Sequence, residues 1–256
     1  MIIGTLLGLT VLPVFLLMLF IYFQDKYQKE PIKMLVKAFF GGMLSIAFTV
    51  VLVSLIDLTL GRIPVLSDTV FYDAFLTAGI PEELCKFLIF MIFIWHNKNF
   101  DEYFDGIVYA CFIGLGFACL ENFMYVGGEV FGVSIWSGFA TSILRGLLSV
   151  PGHFLFGVIL GYFLSKAKFK PEKKAKYIWS GLLLAMLTHG LFDWLLMVSD
   201  YLSTGLTLLV YAFFILGDIG LWFCAIRLIR LQQENSRLQQ IEAESVYTEN
   251  EFNQTL

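Results

Sequence analysis

Apolar residues fall in long runs of twenty or so, separated by short polar stretches, a pattern that predicts about seven membrane-spanning helices. The runs lie at 3–23, 35–59, 71–95, 105–126, 139–165, 177–198 and 206–230. Each supplies about 20 residues, enough to cross a hydrocarbon core about 30 Å thick. Small residues inside them (Gly41, Gly42, Gly114, Gly116, Ala118) suit close helix contacts. Pro31, Pro64 and Pro171 fall in loops, whereas Pro13, Pro81 and Pro151 lie within runs and predict kinks. The first run follows no basic segment and is too long for a signal peptide, so it reads as a retained helix. After Arg230 the chain turns polar. Leu231, Leu238 and Ile241 could line a short amphipathic helix, and the last dozen residues read as disordered. The expected architecture is an all-α polytopic membrane protein: a membrane-embedded domain over 1–230 and a polar cytoplasmic tail over 231–256. No internal repeat is evident.

Composition agrees, with 58% hydrophobic residues, 15% charged and a mean hydropathy of +0.78. A soluble domain carries nearer to about 25% charge. The basic residues sort by loop. Lys26, Lys29, Lys33 and Lys37 follow the first run, Lys98 the third, six lysines from Lys166 to Lys176 the fifth, and Arg227, Arg230 and Arg237 the seventh. The alternate loops hold Arg62 alone, which predicts an outside N-terminus and a cytoplasmic C-terminus. Nucleic acid is an unlikely partner, because the one dense basic run lies between two spans. Cys85, Cys111, Cys119 and Cys224 all sit in apolar segments without CxxC spacing, which reads as packing rather than zinc or disulfide chemistry.

The informative residues are the polar ones inside the runs. Glu82, Glu83, Lys86, Glu121 and Asp193 each fall within a predicted span, where a charge costs about 2.5–3.5 kcal/mol even on a mild scale. They must therefore face one another or trapped water. Lys86 is four residues from Glu82 and three from Glu83, so an intrahelical ion pair explains part of the set. One lysine cannot neutralise two carboxylates, however. The remaining one shares a proton, binds a cation or acts as a base. Glu121 shares a face with Tyr125, and Asn122 beside them can serve as interhelical polar glue. The fifth run holds Pro151-Gly152-His153, with Arg145 two turns earlier; the sixth holds His189 and Asp193 four apart. His96 sits at a helix end and reads as a surface residue. At 1.5 Å rise per residue, Glu82, Glu121, His153, His189 and Asp193 are compatible with one cavity between the midplane and the outer face.

Four motifs taken in order, Glu82-Glu83-x-x-Lys86, Glu121-Asn122-x-x-Tyr125, His153 with Gly157, and His189-x-x-x-Asp193, resemble the PrsW family of bacterial intramembrane proteases. That family is related to the type II CAAX prenyl endopeptidases and the APH subunit of γ-secretase. The resemblance runs from Pro31 to Trp194. The CAAX enzymes typically carry Arg in the first motif and often Asn where this chain has Asp193, which favours PrsW. The resemblance implies a multi-pass protein of the bacterial plasma membrane that hydrolyses peptide bonds of single-span proteins. Its typical substrates are anti-sigma factors, cut near the outer face before a site-2 protease acts on the product. It also implies roles: Glu82, with Glu83 as the rival, for the general base, His153 for holding the water, and His153, His189 and Asp193 for a metal or the oxyanion, with Glu121 counted among the catalytic residues. Zinc suits that set, and a glutamate-dependent mechanism without metal is the alternative.

Other protease classes fit poorly, since the chain has no HExxH or GxSG, and Leu216-Gly217-Asp218 lacks the first glycine of GxGD. A proton- or ion-coupled transporter would also place Glu, His and Lys in mid-bilayer, yet it predicts inverted repeats that are not found. A non-catalytic scaffold is the third reading.

Overall fold

A computed structural model describes the backbone of residues 2–254 and the side chains as far as Val246. The described residues form a helical bundle without strands. In order they are α1 (Ile2–Gln24), α2 (Ile32–Thr59), a 3-10 turn (Leu60–Arg62), the one-turn α3 (Pro64–Ser67), a π-helical segment (Tyr72–Gly79), α4 (Ile80–Phe93) and α5 (Asp105–Gly132). These are followed by α6 (Ile135–Leu147), α7 (Ser149–Phe169), a 3-10 turn (Pro171–Lys173), α8 (Lys174–Val198), a 3-10 turn (Ser199–Tyr201) and α9 (Thr204–Gln254). Six helical stretches among the described residues are long and apolar enough to cross a membrane: 2–24, 32–62, 105–132, 135–169, 171–201 and 204–246.

Three expectations need correction, each for a local reason. The run at 71–95 is not one regular helix. It is wide-turned from Tyr72 to Gly79, with the Ile80 N–H bonding back to the Phe75 carbonyl, and becomes α-helical only over the 14 residues of Ile80–Phe93. Pro81 supplies no N–H to the preceding turn, and the wider turn absorbs that loss. The 139–165 run is two helices rather than one kinked helix. Pro151 cannot donate to the Leu147 carbonyl, and α6 ends there while α7 starts at Ser149. Through Gln254 the tail continues α9 unbroken rather than forming a short separate helix or a disordered stretch, and the last two residues of the stretch expected to be disordered lie outside the described residues. Polar side chains on its continuation bind the bundle. Gln232 donates to the Tyr162 carbonyl (3.1 Å), Gln233 to that of Gln24 (2.6 Å) and Gln239 to that of Asp101 (2.8 Å), and Ser236 accepts from the Phe104 N–H (2.9 Å).

Helices α5 and α7 form the centre, buried without interruption from Asp105 to Cys119 and from Gly152 to Tyr162. Glycine makes this possible. A Cβ on Gly116 would strike the Phe39 carbonyl and one on Gly42 that of Ile113, so α2 and α5 touch backbone to backbone. By contrast α9 runs along the flank, and among its described apolar residues only Phe214, Ala225 and Ile229 are buried.

The lysine-rich loops meet at one end of the bundle. Lys168 donates to the Trp95 carbonyl (2.8 Å), and Gln28 reaches Asp101 (3.4 Å). Beneath the α9 continuation lie four buried acids, Asp25, Glu30, Glu102 and Asp105. Asp105, the first residue of α5, holds the preceding loop by accepting the N–H groups of Asp101 (2.9 Å) and Glu102 (2.7 Å), and Tyr109 hydrogen-bonds Glu30. Neither oxygen of Glu102 meets a hydrogen-bond donor of the protein. Burial raises Asp25 to about 6, Glu30 to about 7 and Glu102 to about 8.

Candidate active site

The intramembrane polar residues come together in the half of the bundle remote from the lysine-rich loops. Glu121 lies sixteen residues into α5, about 24 Å along its axis. Glu82, Glu83, Lys86, His153 and His189 are all buried, between 1 and 8% exposed. Carboxylates and cations pair within the cluster, which lowers their cost in lipid.

Each motif arrives on its own element. Glu82 and Glu83 occupy the first turn of α4, directly after Pro81, and the π-helical approach to them packs on α8 where Gly79 meets Gly190. Lys86, one turn on, donates to Glu83 (2.8 Å), to Glu82 (3.3 Å) and to His153 Nδ1 (2.9 Å), and its ammonium lies 4.0 Å above the Phe117 ring. An ammonium only donates, so Nδ1 of His153 must accept, and Nε2 carries the hydrogen that reaches Glu121 at 2.9 Å. His189 stacks on Phe156 at 4.7 Å and is bounded by carboxylates on both edges. Its Nδ1 is 2.9 Å from Glu83, and its Nε2 is 3.3 Å from Asp193 and 3.8 Å from Glu82.

These groups line a cavity of about 650 Å³, with Glu82, Glu121, His153, His189 and Asp193 as its polar wall. Leu144, Leu148, Phe192, Tyr211, Phe214 and Ile215 supply apolar sides drawn from α6, α8 and α9. Glu83 lies outside that lining, with Oε1 held by both Lys86 and His189. The two adjacent glutamates are thus unlike: Glu83 is tied into the structure, whereas Glu82 bonds Lys86 through Oε2 and lines the cavity.

The donors suit a metal ion. Glu82, His153 and His189 each bring one ligand atom within 4.8 Å of the other two. Imidazole and carboxylate are zinc-type ligands, and a second carboxylate on the far nitrogen of a ligating imidazole is the usual support, here Glu83 behind His189. His189 and Asp193 present such donors directly. His153 joins them only if Lys86 releases its Nδ1.

All the site residues picked from the sequence reach this cluster, and His96 is exposed as expected. Arg145 was noted only by its spacing, yet it is central. It donates to Glu121 (2.6 Å), Asn122 (2.8 Å) and Ser149 (2.9 Å), and its guanidinium lies 4.1 Å from the centroid of the Tyr125 ring. Its position inside an apolar run was the available signal. Asn122 does act as glue, joining Arg145 to the Thr10 carbonyl of α1 (3.4 Å).

Comparisons with known proteins agree on one family. The family described as "PrsW family intramembrane metalloprotease" matches residues 30–217. The "Protease PrsW" of Geobacillus kaustophilus (strain HTA426) is 31% identical over 237 residues, 93% of this chain and 96% of that protein. Those of Clostridioides difficile (strain 630) and Bacillus subtilis (strain 168) are 34% and 35% identical, covering 79% and 70% of this chain and 83% and 77% of theirs. No solved structure matches the chain.

Proposed function

Because the chain belongs to the PrsW family of intramembrane proteases, we propose that it cuts single-span membrane proteins with Glu82 as the base, in the cavity walled by α4, α5, α7 and α8. The observation that carries this reading is the convergence of Glu82, His153 and His189 within 4.8 Å of one another, inside an otherwise apolar bundle.

In the proposed reaction a water lies between Glu82 Oε1 and the scissile carbonyl. Glu82 takes a proton from it as the new C–O bond forms, and the carbonyl π pair moves onto oxygen. On collapse the C–N bond breaks, and the proton held by Glu82 passes to the leaving nitrogen. Glu83 and Lys86 keep His189 and His153 in fixed orientations, so the polar wall need not reorganise during the step. A zinc ion would be held by His189 and Asp193, joined by His153 where Lys86 releases its Nδ1, and would polarise the carbonyl and acidify water. The apolar sides exclude bulk water and receive the flanks of an extended substrate segment.

The finer reading is site-1 cleavage of an anti-sigma-factor-like protein near the outer face of the bacterial plasma membrane, with a site-2 protease acting on the product. It rests on a topology of seven crossings, N-terminus out and C-terminus in, with 72–93 as the additional crossing and 231–256 as a cytoplasmic tail. The grouping of the lysine-rich loops at the far end from the cavity supports that direction. Kinship with the CAAX endopeptidases and APH belongs to the same reading and rests on motif order.

Co-expression with a single-span reporter tests it. Wild type is expected to release an outer fragment seen on a blot, and His189→Ala to release none while inserting normally. Full cleavage by His189→Ala would remove the assignment. Chelation is expected to lower turnover and zinc to restore it; unchanged turnover after chelation would leave the chemistry to the carboxylate alone.

A further inference from the structure

Resting on the protease reading above, we propose that Arg145 is itself a catalytic residue, the donor that meets the negative charge developing on the substrate's carbonyl oxygen. Its guanidinium is fixed on three sides. Nε donates to Asn122 Oδ1 (2.8 Å), Nη2 to Glu121 Oε2 (2.6 Å) and Ser149 Oγ (2.9 Å), and its face rests on the Tyr125 ring. The remaining nitrogen, Nη1, bonds no atom of the described residues, and Arg145 lines the same cavity as Glu82 and His153.

Placement on the chain explains the aim. Arg145 is in the last turn of α6, just before the break that Pro151 imposes, and Ser149 at the start of α7 holds it from the other side of that break. Glu121 Oε2 then links it to the reacting groups, accepting from Arg145 at 2.6 Å and from His153 Nε2 at 2.9 Å. The guanidinium is thus one carboxylate away from His153, which lies within 4.8 Å of the Glu82 and His189 ligand atoms.

Balancing the Glu121 charge does not require this arrangement. A lysine would supply the charge, and His153 already donates to the same oxygen. What a pinned, planar fork adds is a cationic N–H held still in a site shielded from bulk water, where such a donor acts most strongly. In the step derived above, the carbonyl π pair moves onto oxygen as water attacks. Nη1–H bonds that oxygen until the C–N bond breaks and the pair returns. Arg145 keeps all its protons throughout, and proton transfer stays with Glu82.

The test is steady-state kinetics of the full-length protein in proteoliposomes, with a single-span reporter that wild type cleaves. Arg145→Ala is expected to lower kcat by about 100-fold, the usual effect of deleting one oxyanion donor, with KM within about threefold of wild type. Arg145→Lys keeps a charge beside Glu121 and is expected to melt with wild type. It is nevertheless expected to lose at least about tenfold in kcat, because the three N–H groups of an ammonium cannot hold Asn122, Glu121 and Ser149 and also donate forward. Arg145→Lys decides the matter if Arg145→Ala does not fold. Wild-type kcat in either variant, or a loss confined to KM, would overturn the proposal and leave Arg145 as a counter-charge or substrate clamp. A wild-type protein that cleaves no reporter overturns the parent reading instead, a result distinguishable from those three.

Discussion

At the scale of single residues, Lys86 shows how a buried charge network divides its work. It contacts Glu82, Glu83 and His153 at once, sets the tautomer of the imidazole, and leaves Glu82 with one oxygen for chemistry. Removing one partner of a buried ion pair strands the other, at a cost of about 3–5 kcal/mol. Lys86→Met is therefore expected to lower the thermal midpoint in detergent by several degrees and to abolish cleavage together. A variant that melts with wild type would mean that the carboxylates take up protons without penalty. The identities in this network were legible in the sequence, because Glu82, Glu121, His153, His189 and Asp193 are charged or polar where lipid forbids it. The pairing was not. Spacing fixes which residues share a helix face, as with Glu82 and Lys86, but Arg145 meets Glu121 twenty-four positions away on another helix. The contrast between Glu82 and Glu83 likewise depends on which way α4 is rotated against α8, a matter of packing.

At the scale of elements, prolines and polar side chains decide where helices break and where they continue. Pro81 and Pro151 were visible as kinks, yet their consequences, a π-helical approach and a complete break, depended on whether neighbouring helices satisfied the freed carbonyls. The tail was misread because its glutamines look like a solvated segment. They instead bond backbone carbonyls at the bundle's lysine-rich end and seal four acids beneath them. This seal makes a pH prediction. Burial lifts Asp25 from 3.8 to about 6, Glu30 from 4.5 to about 7 and Glu102 from 4.5 to about 8. The folded cap therefore binds protons more tightly than the unfolded chain does, and its stability falls as pH rises from about 4 to about 8. Amide exchange over residues 231–246 is expected to be slower at pH 5.5 than at pH 8.5, and Glu102→Gln to flatten the difference. Faster exchange at the acid pH, after correction for intrinsic rates, would contradict the assignment. Close helix contact is equally specific. Gly116→Val would drive a side chain into the Phe39 backbone and is expected to cost about 1–3 kcal/mol, read as a lower thermal midpoint.

At the scale of the whole molecule, the bundle separates two jobs. One end carries the basic loops and the tail seal; the other half holds a cavity whose polar wall is fixed by ion pairs and whose apolar sides come from α6, α8 and α9. The count and sorting of apolar runs make the membrane class plain in the sequence, and the order of the four motifs resembles that of the PrsW proteases, the family to which the chain belongs. Helix boundaries and the flanking position of α9 came only from packing, because a lipid-facing helix and a buried one are equally apolar in sequence. The central claim is that one carboxylate in this cavity activates the attacking water. Its most direct measurement is single-turnover cleavage of a purified single-span reporter in proteoliposomes by wild type and by Glu82→Gln, with melting curves on both. The expected result is a loss of at least about 100-fold in the cleavage rate for Glu82→Gln, with melting curves that show both proteins folded at the assay temperature. Cleavage by Glu82→Gln at the wild-type rate would contradict it.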